Sequence, residues 1–250
     1  MALEELEETM SSSPRQVGAA ILEIQELSAW YGPQKVLNSV TLHVNPGEIV
    51  GVFGHNGSGK TTLLNSIIGY QVRRTGSVCI RGVESIDLDP AAVARLGVGV
   101  APQGTGVFGS LKVRENLVLG TLKVDSHVED RLANLGERIP MLRDRWDDAV
   151  RGLSGGQRQL VSIGRALAKG PSILLLDEPS VGLAPKMVAE TMNLIRRLRD
   201  EEGTSAVLVE QNIASAAKII DRGYVIRQGH VVLEGGPEIF RDSLALVEYF

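Results

Sequence analysis

The chain has 250 residues, enough for one α/β domain with a sizeable core. Hydrophobic residues make up 43% and charged residues 22%, ordinary proportions that exclude a disordered or fibrous chain. A net charge of −4 and a pI near 5.7 give no basic footprint for nucleic acid, which usually needs a pI above about 9.

Only residues 1–20 depart from this pattern. Leu3, Leu6 and Met10 stand among glutamates, and Ser11-Ser12-Ser13-Pro14 follows. The segment lacks the basic start and apolar run of a secretory leader, and it reads as a mobile acidic tail; a short helix with one apolar face is the alternative. Residues 21–50 are β-rich, and Val40-Thr41-Leu42-His43-Val44 alternates as a half-buried strand does. Ile49-Val50-Gly51-Val52-Phe53 is a continuous apolar strand running into glycine-rich sequence. Further apolar strands are expected at Val98–Ala101, Ile173–Leu176, Ala206–Val209 and Tyr224–Ile226, with helical patterns between most of them. That alternation implies a mainly parallel sheet covered by helices. Between residues 112 and 170 the pattern changes to three helices: Val113–Leu119, one within His127–Arg138, and one from Ser154 carrying Leu160, Ile163 and Leu167 on a stripe. This reads as a helical insertion. No stretch reaches the ~18 apolar residues of a membrane span, and the single cysteine, Cys79, suits a reducing compartment.

Residues 54–61 read GHNGSGKT, a full phosphate-loop motif placed between a strand and a helix. Gly54, Gly57 and Gly59 let the backbone turn its N–H groups onto phosphate, with His55, Asn56, Ser58 and Thr62 completing the loop. Helix Lys60–Ile68 aims its positive end at the same anion, Lys60 adds a mobile charge, and Thr61 offers a hydroxyl to Mg²⁺. Ile173–Leu176 ends in two carboxylates. Asp177 is placed to hold Mg²⁺ through water, and Glu178 to take a proton from the attacking water. His55 reads as a bystander, and the four histidines form no spaced metal cluster.

Leu153-Ser154-Gly155-Gly156-Gln157 is a second anion site, a serine cap with open glycine N–H groups at a helix start. It resembles the signature sequence of ABC ATPases, and the resemblance spans residues 21–250. It implies a P-loop ATPase core with a mainly parallel sheet, an N-terminal antiparallel β subdomain, and an α-helical subdomain at about 112–170. In that family each signature closes over the ATP of a partner domain. The resemblance also implies that Tyr31 stacks on adenine and that Gln103 touches Mg²⁺ and senses the membrane subunit. Glu178-Pro179-Ser180-Val181-Gly182-Leu183-Ala184-Pro185, Leu208-Val209-Glu210-Gln211-Asn212, Asp221–Val225 and Gly229–Val232 are similar to the ATP-binding subunits of branched-chain amino acid importers. Gln211 replaces the usual histidine beside the γ-phosphate, and Ala184 replaces an aspartate common in relatives; both resemble this subgroup.

The expected activity is Mg-dependent ATP hydrolysis driving uptake of branched-chain or other hydrophobic amino acids, with catalytic roles for Glu178, Gln211, Lys60 and Gln103. Urea, amide or aromatic-acid uptake is the alternative cargo. Expected partners are a second, non-identical ATPase, two permeases and a solute-binding protein, with no nucleic acid. The expected location is the cytoplasmic face of the membrane, and a groove at Gln103 and Val107–Leu111 would receive a permease helix. Phe108 is either its anchor or an ordinary core residue. A soluble ABC protein acting on ribosomes or DNA would usually carry two ATPase domains or a long coiled coil, and a non-hydrolysing regulator would lose Lys60 or Glu178.

Overall fold

Residues 20–104, 106–121, 127–241 and 249 are described by a computed structural model. The expected acidic tail, with Leu3, Leu6 and Met10, lies outside the described residues apart from Ala20.

Two sheets organise the chain. The first is antiparallel, in the order β2-β1-β4-β5, from β1 (Leu22–Tyr31), β2 (Gln34–Val44), β4 (Arg73–Ile80) and β5 (Val83–Glu84). The second has the order β10-β9-β3-β8-β7-β6, from β3 (Ile49–Phe53), β6 (Val98–Ala101), β7 (Ile173–Asp177), β8 (Ser205–Val209), β9 (Arg222–Arg227) and β10 (His230–Gly235). Its pairs are parallel except β9 with β10. β3, β7 and β8 are buried at every position, which is why they read as unbroken apolar runs.

Alternation along these strands divides the core into two layers. Val50 and Val52 of β3, with Ile173 and Leu175 of β7, face the antiparallel sheet and helix α1 (Lys60–Ile68). Ile49 and Phe53, with Leu174 and Leu176, face the other way. There they meet α6 (Gly155–Leu167) and α7 (Pro185–Glu202) through Ile163, Leu167 and Ile195. The expected alternation in β2 is present: Val40, Leu42 and Val44 are buried, while Thr41 and His43 are half-buried.

Helices α3 (Val113–Gly120), α4 (Val128–Arg138), α5 (Pro140–Asp144) and α6 lie between β6 and β7. α2 (Pro90–Arg95) precedes β6, and the short α8 (Ile213–Ala216) and α9 (Pro237–Arg241) follow β8 and β10. Among the described residues, no helix is long and apolar enough to cross a membrane.

The two sheets are tied together at one corner. Arg222 donates to Glu48 Oε1 at 2.8 Å, to the His43 carbonyl at 2.8 Å and to Glu234 Oε1 at 2.6 Å. The β9–β10 turn, with both Gln228 (φ 50°) and Gly229 (φ 80°) left-handed, packs on β2. Asn38 N–H donates to the Gly229 carbonyl at 2.9 Å, and Gly229 N–H donates to the Ser58 carbonyl at 3.0 Å. A Cβ at Gly229 would lie 2.1 Å from the Val36 carbonyl oxygen, so only glycine fits there.

Candidate nucleotide site

Parallel strands order their carboxyl ends along one edge, and the chain places its reactive side chains there. Gly54 follows β3, Gln103 follows β6, Asp177 ends β7 with Glu178 next, and Glu210 and Gln211 follow β8. The shared sheet order brings together residues that are far apart in sequence.

The phosphate loop has the strained turns its glycines allow. Gly54 and Gly59 have φ of 150° and 113°, and a Cβ on Gly54 would lie 2.2 Å from the Ile226 carbonyl oxygen. Lys60 folds back over the loop, donating from Nζ to the Gly54 carbonyl at 2.7 Å and the His55 carbonyl at 3.1 Å. Its Nζ is 3.8 Å from Glu178 Oε1. Burial lowers the Lys60 pKa, opposed by the charges of Glu178 and Asp177. Ser58 and Thr62 are buried, and the Ser58 hydroxyl has no hydrogen-bond partner among the described residues. The His55 side chain is exposed, and His55 is absent from the cleft lining.

Asp177 accepts from the Thr61 hydroxyl at 3.3 Å. Burial raises its pKa, against the lowering effect of that hydrogen bond. The Thr61 hydroxyl and the Asp177 carboxylate form an all-oxygen pair of the kind that suits a hard cation beside phosphate oxygens.

Glu178 is 7% exposed and has a left-handed backbone, φ 47°, held by its N–H donating to the Val209 carbonyl at 2.9 Å. Both carboxylate oxygens are engaged by amides. Gln103 Nε2 donates to Oε2 at 2.5 Å, and Gln211 Nε2 donates to Oε1 at 2.6 Å. Gln211 Nε2 also donates to Asn56 Oδ1 at 2.8 Å.

A cleft of about 380 Å³ opens over these groups, lined by Gln34, Val36, Asn56, Gly57, Gly59, Lys60, Thr61, Thr62, Gln103 and Glu178. Gln34 and Val36, at the start of β2, were not expected here; nothing in their local sequence marks them. Tyr31 ends β1 with its ring 39% exposed, and its hydroxyl accepts from Asn65 of α1 at 3.0 Å. Glu210, which does not line the cleft, braces it from behind Glu178 and Gln211. Fully buried, it accepts from Ser180 N–H at 2.9 Å, Ser180 Oγ at 2.8 Å and Gln211 N–H at 3.2 Å, so one carboxylate ties the loop after β7 to the loop after β8.

Ser154, Gly155, Gly156 and Gln157 are not among the cleft's lining residues. Ser154 Oγ accepts from Gln157 N–H at 3.3 Å and Gln157 Oε1 accepts from Ser154 N–H at 2.9 Å, a reciprocal cap at the start of α6. A Cβ on Gly155 would meet nothing within 4 Å, whereas one on the buried Gly156 would lie 2.8 Å from the Met187 side chain, so the helix start is open at Gly155 and covered at Gly156.

A protein-family model described as "ABC transporter" matches residues 37–181. The chain is 38% identical over 214 residues to the high-affinity branched-chain amino acid transport ATP-binding protein BraG of Pseudomonas aeruginosa, covering 85% of this chain and 91% of that one. The chain belongs to the ABC transporter family. As an ABC ATP-binding cassette it binds and hydrolyses ATP, and it works with membrane permease partners. It is also 36% identical to the lipopolysaccharide export system ATP-binding protein LptB of Escherichia coli, over 90% of this chain and 94% of that one. The probable branched-chain amino acid transport ATP-binding protein LivF of Archaeoglobus fulgidus is likewise 36% identical, over 86% and 92%. Among solved structures, the ADP conformation of the cassette MJ1267 superposes with a TM-score of 0.83 at 27% identity, covering 92% and 96% of the two chains. Much of the phosphate loop, Gln103 and Glu178 thus line one cleft, with Asp177 hydrogen-bonded to Thr61 and Gln211 to Glu178, while Ser154 to Gln157 are not among its lining residues.

Proposed function

We propose that this ABC cassette powers an importer of branched-chain or other hydrophobic amino acids from the cytoplasmic face of the membrane. The observation that carries the hydrolytic part is the Glu178 carboxylate, buried beside Lys60 with an amide on each oxygen. Lys60 exchanges the Gly54 and His55 carbonyls for the β- and γ-phosphate oxygens. The backbone N–H groups of Gly57 to Thr62 and the start of α1 take the remaining phosphate charge. Water attacks the γ-phosphorus, the bond to ADP breaks, and Glu178 accepts the water's proton. Tyr31 stacks on the adenine. Mg²⁺ fits the Thr61 hydroxyl and Asp177, the latter through water, because the set is all oxygen; it supplies charge neutralisation on the phosphates. Ser154 to Gln157 serve a partner's ATP, and their absence from this chain's cleft supports that reading.

The cargo assignment is supported by similarity to BraG and LivF and by Gln211 and Ala184. The assembly would contain a non-identical ATPase, two permeases and an extracytoplasmic solute-binding protein. Similarity to LptB supports a second reading, lipid export. Isolating the complex from its native membrane with a tag on this chain, then reconstituting it in proteoliposomes with labelled leucine, tests both. ATP-dependent leucine uptake is the expected result. A permease pair that carries urea, aromatic acids or lipid instead would overturn the cargo assignment while leaving the ATPase intact.

A further inference from the structure

We propose that Asn56 is a positioning residue for hydrolysis: its side-chain carbonyl fixes the orientation of the Gln211 amide against Glu178. The inference rests on the reading of Glu178 as the acceptor of the water's proton. A primary amide has two N–H donors on one end and a carbonyl oxygen on the other, and a half-turn exchanges them. In this cleft Gln211 Nε2 uses both hydrogens, one on Asn56 Oδ1 at 2.8 Å and one on Glu178 Oε1 at 2.6 Å. The Gln211 carbonyl oxygen accepts nothing among the described residues and is the atom left for water. Asn56 therefore defines what Gln211 does. With both donors committed, Gln211 acts on the attacking water as an acceptor and is not a donor to phosphate.

The geometry also explains why this task falls to the loop's third residue. Asn56 lies between Gly54 and Gly57, two positions with positive φ, on a turn further fixed by Ser58 N–H donating to the His55 carbonyl at 3.1 Å. Its side chain is presented by a rigid backbone. Gln211 is exposed, as Asn56 is, and follows β8 with its backbone N–H on Glu210. An acceptor carried on the loop's turn orients the amide that reaches it. The contact joins the phosphate loop to the segment after β8, so the two ends of the cleft are set by one hydrogen bond.

The test uses the full chain with three variants. Asn56→Leu keeps the volume and removes the acceptor; Asn56→Asp keeps an acceptor oxygen; Gln211→Ala removes the group being positioned. Steady-state ATPase of the assembled complex is expected to show kcat lowered about tenfold in Asn56→Leu with KM for ATP nearly unchanged. Asn56→Asp should recover most of that loss. The double variant Asn56→Leu/Gln211→Ala should be no slower than Gln211→Ala alone, since the two act as a unit. A readout independent of turnover is the ¹⁵N-resolved side-chain amide of Gln211 in the ATP-free chain, assigned through Gln211→Ala. Its two protons should exchange slowly in the native chain and in Asn56→Asp, and fast in Asn56→Leu. Unchanged amide exchange in Asn56→Leu overturns the proposal whatever the turnover. So does additive loss in the double variant, or raised KM with unchanged kcat, which would make Asn56 a phosphate ligand only. Slow turnover in every protein with the expected exchange pattern would instead count against the role of Glu178 and leave the Asn56 contact standing.

Discussion

Glu178 has an unusual local problem: an L-residue in the left-handed region costs roughly 1–2 kcal/mol, yet its N–H bond to Val209 and its two amide partners hold it there. Replacing it tests the hydrolytic reading directly. Glu178→Gln should retain ATP binding and lose about 10²–10⁴-fold in turnover, because an amide accepts no proton from water. The introduced NH₂ would also face an existing NH₂ donor, so one of the two flanking glutamines should turn away. Equilibrium nucleotide binding alongside single-turnover hydrolysis separates these effects, and unchanged turnover would remove Glu178 from the role. Gln211 makes a different prediction. Glutamine has no charge to change, so the native complex should show no titration step from this position between about pH 6 and 8. Gln211→His should stay active and introduce one near ~6.5, since protonation there would set a cation beside phosphate and remove the free acceptor nitrogen. Superimposable pH profiles with equal turnover would mean that the side chain has no catalytic part.

Elements differed in how readily their sequences declared them. β3, β7 and β8 are continuous apolar runs, buried on both faces, and their ends were plain from Gly54, Asp177 and Gln211. Helix α6 was legible from its Ser154 cap and its stripe of Leu160, Ile163 and Leu167. β4 was not, because Arg73-Arg74-Thr75-Gly76-Ser77 is polar and interrupted by glycine. Arg74 ties the strand to the segment after β5, its guanidinium donating to the Ser85 and Leu88 carbonyls at 2.9 Å each, a tertiary arrangement no local pattern encodes. The same holds at the site. The phosphate loop and carboxylates follow from motif spacing, whereas Gln34 and Val36 reach the cleft, and Glu210 reaches Ser180, through sheet order alone. Phe108, for which docking and core readings were both open, is 51% exposed, with Arg165 5.4 Å from its ring centroid. Its backbone is held by the buried Asn116 side chain, which accepts from Phe108 N–H at 2.7 Å and donates to its carbonyl at 3.0 Å. An exposed ring on a braced loop suits a partner surface. Phe108→Ala should therefore keep its melting temperature and basal ATPase but lose coupled transport in proteoliposomes; a fall of several degrees in melting temperature would restore the core reading.

At the scale of the molecule, if Ser154 to Gln157, which do not line the phosphate cleft, serve a partner's ATP as proposed, the isolated chain is an incomplete enzyme. Turnover per subunit should rise with protein concentration and approach that of the full complex only when a partner signature is supplied. A rate independent of dilution and equal to that of the complex would contradict a shared site. The corner where the β9–β10 turn meets β2 and the phosphate loop has a consequence for synthesis. Residues 54–61 are made well before the backbone that braces them through Ser58 and Asn38: Gln228 is 190 residues from its partner Asn38. Since chains emerge at roughly 5–20 residues per second, the nascent polypeptide spends about ten seconds or more with its triphosphate-binding sequence exposed but unsupported. The hydrogen bond that the loop receives at the Ser58 carbonyl can thus form only once Gly229 has been made.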